Sequence, residues 1–174
     1  MKRLSLTIAS ALVVALAVPM AISGVAANAA LPACAHLIVG VTEVNGAAGT
    51  EGATFLLANA GPRCSLEGFP TVVFYGAHGN PVDPIDVHRA STFFAEPPAK
   101  LLVLAHSSVA SVGVSWSDTP TSKSSCPPAT SAKIVLPNGV GVIDAQPSII
   151  AAPCGGKLFV TPIEAGAEPI FAGG

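Results

Sequence analysis

The sequence predicts an all-β fold, an immunoglobulin-like two-sheet β-sandwich with two disulfides. Short apolar runs rich in Val, Ile, Leu and Phe recur between Gly, Pro, Asn and Ser breaks, the pattern of strands separated by turns. After residue 29, no 12-residue window keeps a helical period without Gly or Pro, which disfavours long helices. Four cysteines follow, an even count that suits two disulfides in an exported chain. A closed barrel is the alternative architecture.

Residues 1–29 have the organisation of a secretory signal peptide. Lys2 and Arg3 precede an apolar stretch from about residue 4 to 22, and Ala27-Asn28-Ala29 matches the A-x-A cleavage rule. A membrane anchor is the other interpretation. Polar residues and Pro19 interrupt the stretch, and small residues of the cleavage type follow it, so we predict cleavage.

A lipid anchor at Cys34 remains an alternative to free secretion. The segment Leu31-Pro32-Ala33-Cys34 resembles a bacterial lipobox, in which the cysteine is acylated. Pro32 fits that motif poorly, and the motif lies well beyond the apolar stretch instead of following it directly. Cys34 is also required if all four cysteines pair.

Composition excludes several classes of protein. Cleavage removes two of 8 basic residues and none of the 10 acidic ones, leaving 6 against 10 and a net charge of −4. Nucleic-acid binding needs clustered Lys and Arg, and no such cluster follows the leader. A hydrophobic content of 51% argues against disorder, and no later apolar run is long enough to span a membrane. We therefore expect one domain over 30–170 with a tail at 171–174, monomeric and located in the extracellular space or cell wall.

Eight strands are expected from the apolar runs, taken in chain order. They cover 36–44, 53–58, 71–75, 101–105, 109–116, 132–136, 141–144 and 157–161. Within 109–116, large and small side chains alternate, which indicates a half-buried strand. Trp116 at its end is interpreted as a core residue near a disulfide. Turns are predicted at Asn45-Gly46, at 78–81 and at Asn138-Gly139.

The four cysteines allow three pairings. We favour Cys34 with Cys64 and Cys126 with Cys154, because these pairs are neighbours in sequence and close loops of about 30 residues. In the chain-entropy model each such disulfide stabilises the fold by about 3–4 kcal/mol. A zinc site is the rival interpretation, but zinc sites usually contain C-x₂₋₄-C pairs, and these cysteines are far apart.

The longest stretch predicted to be irregular, 81–100, is the most polar and aromatic part of the chain. Loops on a rigid scaffold often carry function, so this stretch supplies the candidate binding residues. They are Asp83, Asp86, His88, Arg89, Phe93 and Phe94. The favoured structural interpretation is a solvated connection with Phe93 and Phe94 packed over one sheet.

No recognised catalytic motif is present, and we expect a non-enzymatic protein without a cofactor. The chain lacks a G-x-S-x-G elbow, an H-E-x-x-H zinc motif and a Walker loop. The alternative is a secreted hydrolase with a non-standard site built from His78, Asp83, Asp86 and His88 converging in a cleft. Asp83, Asp86 and His88 could also form an oxygen-rich cation site, although no calcium-loop pattern accompanies them.

One segment carries a family resemblance. It reads Asn59-Ala60-Gly61-Pro62-Arg63-Cys64-Ser65-Leu66-Glu67-Gly68-Phe69-Pro70. An early Cys34, a strand ending in Trp116 before Cys126, and a late Cys154-Gly155 before an apolar strand accompany it. Over about 33–166 the chain resembles the actinobacterial secreted family called domain of unknown function 4232.

The resemblance implies an immunoglobulin-like sandwich in the envelope or extracellular space, and no established activity. One departure is His106-Ser107-Ser108, which stands where the family usually has a Pro-Gly turn. Taken together, the sequence predicts an exported module that binds a protein or a wall component.

Overall fold

A computed structural model describes residues 30–82, 85–121, 126–137, 141–145 and 151–172. The predicted signal peptide 1–29, Asp83 and the Asn138-Gly139 turn lie outside the described residues. No helix in the described ranges is both long and apolar enough to cross a membrane.

The described residues form thirteen strands. They are β1 (Leu37–Val41), β2 (Asn45–Ala47), β3 (Thr50–Asn59), β4 (Cys64–Leu66), β5 (Thr71–Tyr75), β6 (Pro81–Val82), β7 (Ile85–Val87), β8 (Leu102–Leu104), β9 (Val109–Ser117), β10 (Ser131–Val135), β11 (Val142–Asp144), β12 (Cys154–Val160) and β13 (Glu164–Ala165). The predicted all-β class is confirmed.

The larger sheet has seven strands in the order β1-β3-β9-β12-β7, with β2 added to β3 and β13 added to β9. Its centre is the antiparallel pairing of β3 with β9, which runs from Thr50 opposite Ser117 to Ala58 opposite Val109. Strand β7 joins the edge of β12 in parallel. The central strands β3 and β9 are long and rich in buried residues because neighbouring strands flank them on both sides.

The second sheet has the order β11-β10-β5-β6 and packs on the inner face of the larger one. Trp116 of β9 is fully buried and meets Phe74 of β5 edge to face, with ring centroids 5.3 Å apart. Its indole N–H donates to a carboxylate oxygen of Glu51 at 2.8 Å, which satisfies the one polar group of that ring. The predicted sandwich and the predicted core position of Trp116 are confirmed.

Both disulfides form as predicted, Cys34 with Cys64 and Cys126 with Cys154. The first fixes the chain before β1 to β4, which pairs with β8 in a small two-stranded sheet. Because the sulfur of Cys34 is bonded to Cys64, it is not available for acylation. Two disulfides also indicate an oxidising compartment.

The segment 59–70 is built around the buried side chain of Asn59. Its amide nitrogen donates to the carbonyl oxygens of Pro62 and Ala105, at 2.9 and 3.1 Å, and its side-chain oxygen accepts the Gly61 N–H at 2.9 Å. A Cβ on Gly61 would lie 2.8 Å from the Cβ of His36, so this position requires glycine. The Asn and Gly of the segment therefore join the end of β3 to the end of β8.

The His106-Ser107-Ser108 departure keeps the turn that a Pro-Gly pair would make. The Ser108 N–H donates to the carbonyl of Ala105 at 3.1 Å, and Ser107 has a φ of 64°. A positive φ at the third position of such a turn favours glycine, and Pro favours the second position. His106 compensates in part, because its Nδ1 lies 3.1 Å from the carbonyl oxygen of Gly61.

Three details of the sequence prediction are wrong. The eight expected strands are present, but the described residues form five further short strands that were not expected: β2, β4, β6, β7 and β13. Asn45 and Gly46 are extended in β2, and the turn lies three residues later at Ala48 and Gly49, where φ is 51° and 82°. The pairing of β2 with β3 continues to Ala47 opposite Thr50, so only two residues remain for the turn. The stretch 81–100 is also not wholly irregular, because it contains β6 and β7. Strands this short have no alternation to detect.

Candidate functional site

The outer face of the seven-stranded sheet carries three adjoining clefts of about 480, 370 and 360 Å³. Arg89, Ser117 and Phe159 line both the first and the second. Thr50 and Thr92 line both the second and the third. The shared walls make one continuous trough, which we call the outer groove.

The pairing of β12 with β7 places the basic side chains. Lys157 lies opposite Ile85 and Phe159 opposite Val87, while the intervening Leu158 is fully buried in the core. Because alternate residues of a strand point to opposite faces, Lys157 and Phe159 both point outward. Arg89 follows β7 by two residues, and its guanidinium carbon lies 5.0 Å from the centroid of the Phe159 ring.

A bulge next to the second disulfide shapes one end of the groove. The register of β12 against β9 shifts between Cys154 and Phe159, and Gly155 and Gly156 have φ values of 74° and 66°. An extra residue at such a bulge bends the strand and turns its side chains to a new direction. Cys154 itself lines the first cleft, so the disulfide holds the bent end in place.

No described residue that lines these clefts carries a carboxylate. Two acidic residues adjoin lining residues along the chain. The Glu51 carboxylate accepts from the Trp116 indole, and the Asp118 carboxylate accepts from the Thr119 hydroxyl and faces the Ala48–Gly49 turn. In the parts of the chain that the structure describes, the single ion pair joins Lys133 to Asp144 on the other sheet. The groove is therefore basic although the protein as a whole is acidic.

The rest of the outer face is covered by the 91–95 loop and the last described residues. The Ser91 hydroxyl accepts the N–H groups of Phe93 and Phe94, at 3.1 and 3.0 Å, and so forms the turn that directs Phe94 onto the sheet. Phe94 is 3% exposed and lies against Gly113, and its ring centroid is 5.3 Å from that of Phe171. The tail predicted at 171–174 thus begins with a residue that packs against Phe94.

The six candidate binding residues separate into different environments. Arg89 lines the groove and Phe93 lines its far end, where Phe171 is 47% exposed. Phe94 forms part of the packing under the groove rather than its surface. Asp83 lies outside the described residues, and Asp86 and His88 face away from the groove.

Asp86 links the two sheets rather than lining a cleft. Its Oδ2 accepts the N–H of Val72 in β5 at 3.1 Å, while its Oδ1 is buried without a hydrogen-bond partner among the described residues. Burial raises the pKa of this carboxyl above its ordinary value of 3.8, and the Val72 N–H, His88 and the Thr71 hydroxyl act in the opposite direction. Asp86 therefore connects the two sheets through one hydrogen bond, and burial of its other carboxylate oxygen lowers the stability of the fold.

The two histidines of the alternative hydrolase site lie in different surroundings. His88 stacks on Phe69, with ring centroids 4.3 Å apart and planes inclined by 16°. His78 lies exposed in the turn between β5 and β6. Across the described ranges, no three His, Cys, Asp or Glu side chains come together as a metal site would require.

Sequence reasoning missed Lys157, Phe159, Ser117 and Thr119 as groove residues. The strand predicted over 157–161 already alternates Lys157 and Phe159 against Leu158, so the outward pair could have been read from it. The contact of these residues with Arg89 could not have been predicted from the sequence, because it depends on the parallel pairing of β7 with β12.

The fold and the groove define a disulfide-linked β-sandwich with a basic cleft on one sheet. The family model described as "Domain of unknown function (DUF4232)" matches residues 34–164. The chain belongs to this family. No curated protein and no solved structure matches the chain.

Proposed function

We propose that the protein is an exported, non-enzymatic module of the cell envelope or extracellular space that binds a wall component through the outer groove. The observation that carries this proposal is an open, continuous groove. Its described lining includes two basic side chains, Arg89 and Lys157, and several hydroxyl side chains, but no carboxylate. Concave sites with a few convergent polar groups are where ligands bind. The signal-peptide pattern at 1–29 and the two disulfides support export.

A binding role accounts for the whole site better than catalysis does. The described residues that line the groove are Arg, Lys, Phe, Ser, Thr, Ala, Gly and the disulfide-bonded Cys154, and none of these residue types is a His or a carboxylate that could act as a base. Among the described residues, no specific contact favours the hydrolase alternative.

The proposal can be tested by sedimentation with purified bacterial cell walls. The protein secreted from the full-length chain is mixed with walls treated with protease, so that only polymer remains. We expect it to sediment with these walls. A Thr92→Trp substitution, at an exposed residue shared by two clefts, should reduce the bound fraction at least tenfold by filling the groove. Thr130→Trp is the matched control and should bind normally, because Thr130 is exposed and its N–H donates to Tyr75 of the second sheet.

Two results would overturn the proposal. Binding that disappears when wall proteins are digested would make the partner a protein. Equal binding by the Thr92→Trp and Thr130→Trp variants would place the site away from the groove. Mass spectrometry of the secreted protein tests export separately, with Ala30 expected at the N-terminus and an intact leader contradicting it.

A further inference from the structure

We infer that the ligand of the outer groove is an anionic, polyhydroxylated polymer: a chain of sugar or polyol units that carry phosphate or carboxylate groups. This inference rests on the proposed function, because it assigns a ligand class to the same groove. Three observations lead to it: the positive charge of the groove, the contact of Arg89 with the Phe159 ring, and the hydroxyl side chains along the groove.

The charge favours an anion. Arg89 and Lys157 both line the first cleft, and neither has a carboxylate partner in the described part of the chain. Without its leader the protein carries a net charge of −4, so the groove is a local exception to the sign of the whole molecule. A cleft with charges of one sign and low-dielectric walls concentrates its field and attracts counter-ions.

The guanidinium of Arg89 is oriented in advance. It lies over the Phe159 ring at 5.0 Å, a cation–π contact that holds a flexible side chain against the sheet. The planar guanidinium presents paired N–H donors that match the two oxygens of a carboxylate or a phosphate. Because less side-chain entropy is lost on binding, an oriented Arg89 increases affinity. Phe159 is therefore a positioning residue.

The hydroxyl side chains favour a polyhydroxylated ligand over an acidic peptide. Ser117, Thr119, Thr50 and Thr92 line the groove along its length. The Ser117 and Thr119 hydroxyls already donate to the Gly49 carbonyl and the Asp118 carboxylate and can still accept. The hydroxyls of Thr50 and Thr92 can both donate and accept, as the hydroxyls of a sugar or polyol can. Acidic peptides are recognised by clusters of arginines, whereas Arg89 is the single arginine among the described residues that line these clefts. The three adjoining clefts suit a chain longer than one unit.

The experiment is isothermal titration calorimetry with defined polymers. The probes are poly(glycerol phosphate), polygalacturonate, neutral dextran, poly-glutamate and inorganic phosphate. We expect poly(glycerol phosphate) or polygalacturonate to bind. Comparison of these two polymers decides whether the groove prefers phosphate or carboxylate groups. The affinity should fall as salt is added. Dextran and poly-glutamate should bind at least tenfold more weakly.

The variants separate the groove from general charge. Arg89→Gln with Lys157→Gln should weaken binding of the anionic polymer at least tenfold. Arg63→Gln with Lys100→Gln removes the same charge from exposed positions outside the groove and should change affinity less than twofold. Phe159→Leu should weaken binding several-fold in the wild-type background but have little further effect once Arg89 is replaced, which a purely structural role would not produce.

Four outcomes would overturn the inference: equal weakening in both double variants, dextran binding as tightly as the anionic polymers, poly-glutamate binding best, or no polymer binding at all. Its failure is distinguishable from that of the proposed function. If cell walls still retain the Arg89→Gln, Lys157→Gln protein but not the Thr92→Trp variant, the groove binds a wall component without recognising anions. If walls retain neither the wild type nor any variant, the proposed function fails.

Discussion

Gly113 of β9 is predicted to be a position where a single methyl group destabilises the fold. A Cβ at this residue would stand 2.6, 2.7 and 2.8 Å from Cγ, Cδ1 and Cδ2 of Phe94, which are the base of the ring rather than its flexible end. Carbon atoms prefer a separation of about 3.5–4.0 Å, so the ring would have to retreat by roughly 1 Å. It has little room to do so, because Phe94 is 3% exposed and packs against Phe171.

The magnitude follows from two opposing effects. Overpacking a well-packed site costs about 1–3 kcal/mol, and replacing a strand glycine by alanine returns about 0.5–1 kcal/mol. The Gly113→Ala substitution should therefore lower the free energy of unfolding by about 1–2 kcal/mol. The φ of Gly113 is not positive, so backbone strain does not contribute, and the loss is assigned to the ring.

The assay is urea denaturation with both disulfides intact. Gly46→Ala is the matched control, a strand glycine whose added Cβ meets its nearest heavy atom at 3.5 Å, and it should be neutral or slightly stabilising. Phe94→Ala alone should cost about 3–5 kcal/mol, and on that background Gly113→Ala should no longer destabilise. If Gly113→Ala costs the same with and without the ring, or no more than Gly46→Ala, the reasoning is refuted.

Three further predictions concern charge, covalent links and the first turn. The raised pKa of Asp86 means that the folded protein binds the proton more tightly than the unfolded chain, so this group lowers stability as pH rises from 3.8 through the folded pKa. Asp86→Asn should therefore gain stability relative to wild type over that window, and parallel pH profiles in urea melts would disprove it. Removing Cys34 and Cys64 together should lower the free energy of unfolding by about 3–4 kcal/mol, and an unchanged melt would contradict the entropic argument. Ala48→Asn should stabilise the protein by about 0.5–1 kcal/mol, because asparagine tolerates the observed φ of 51° better than alanine. Loss of stability on thermal melting would argue against it.

Burial of the Glu164 carboxylate contributes to the same pH dependence. Its Oε2 accepts the Ile170 N–H at 3.2 Å, and burial raises its pKa above 4.5 despite that bond and the Thr161 hydroxyl. As with Asp86, the contribution of this group to the free energy of unfolding falls as the pH rises from 4.5 through the folded pKa of Glu164. The Asp86→Asn variant should therefore keep a residual slope from Glu164.

The sequence alone determined the features that depend on local patterns. The strand over 109–116 was predictable because large and small side chains alternate along it, and a period of two has one structural meaning. The two disulfides were predictable because an even set of cysteines that follows a signal-peptide pattern pairs most simply between neighbours. The segment 59–70 and Trp116 likewise indicated the family and the core, since each is a local signature.

Tertiary structure alone decided where the groove lies and what fills the outer face. Arg89 reaches Phe159 because β7 adds to the edge of β12 in parallel, a long-range pairing with no periodic signal in a three-residue strand. Phe94 is buried because Gly113 leaves room for its ring on the sheet, and these residues are 19 positions apart in the chain. Local patterns specify which face of a strand is apolar, but only the assembled sheet specifies which distant side chain covers it.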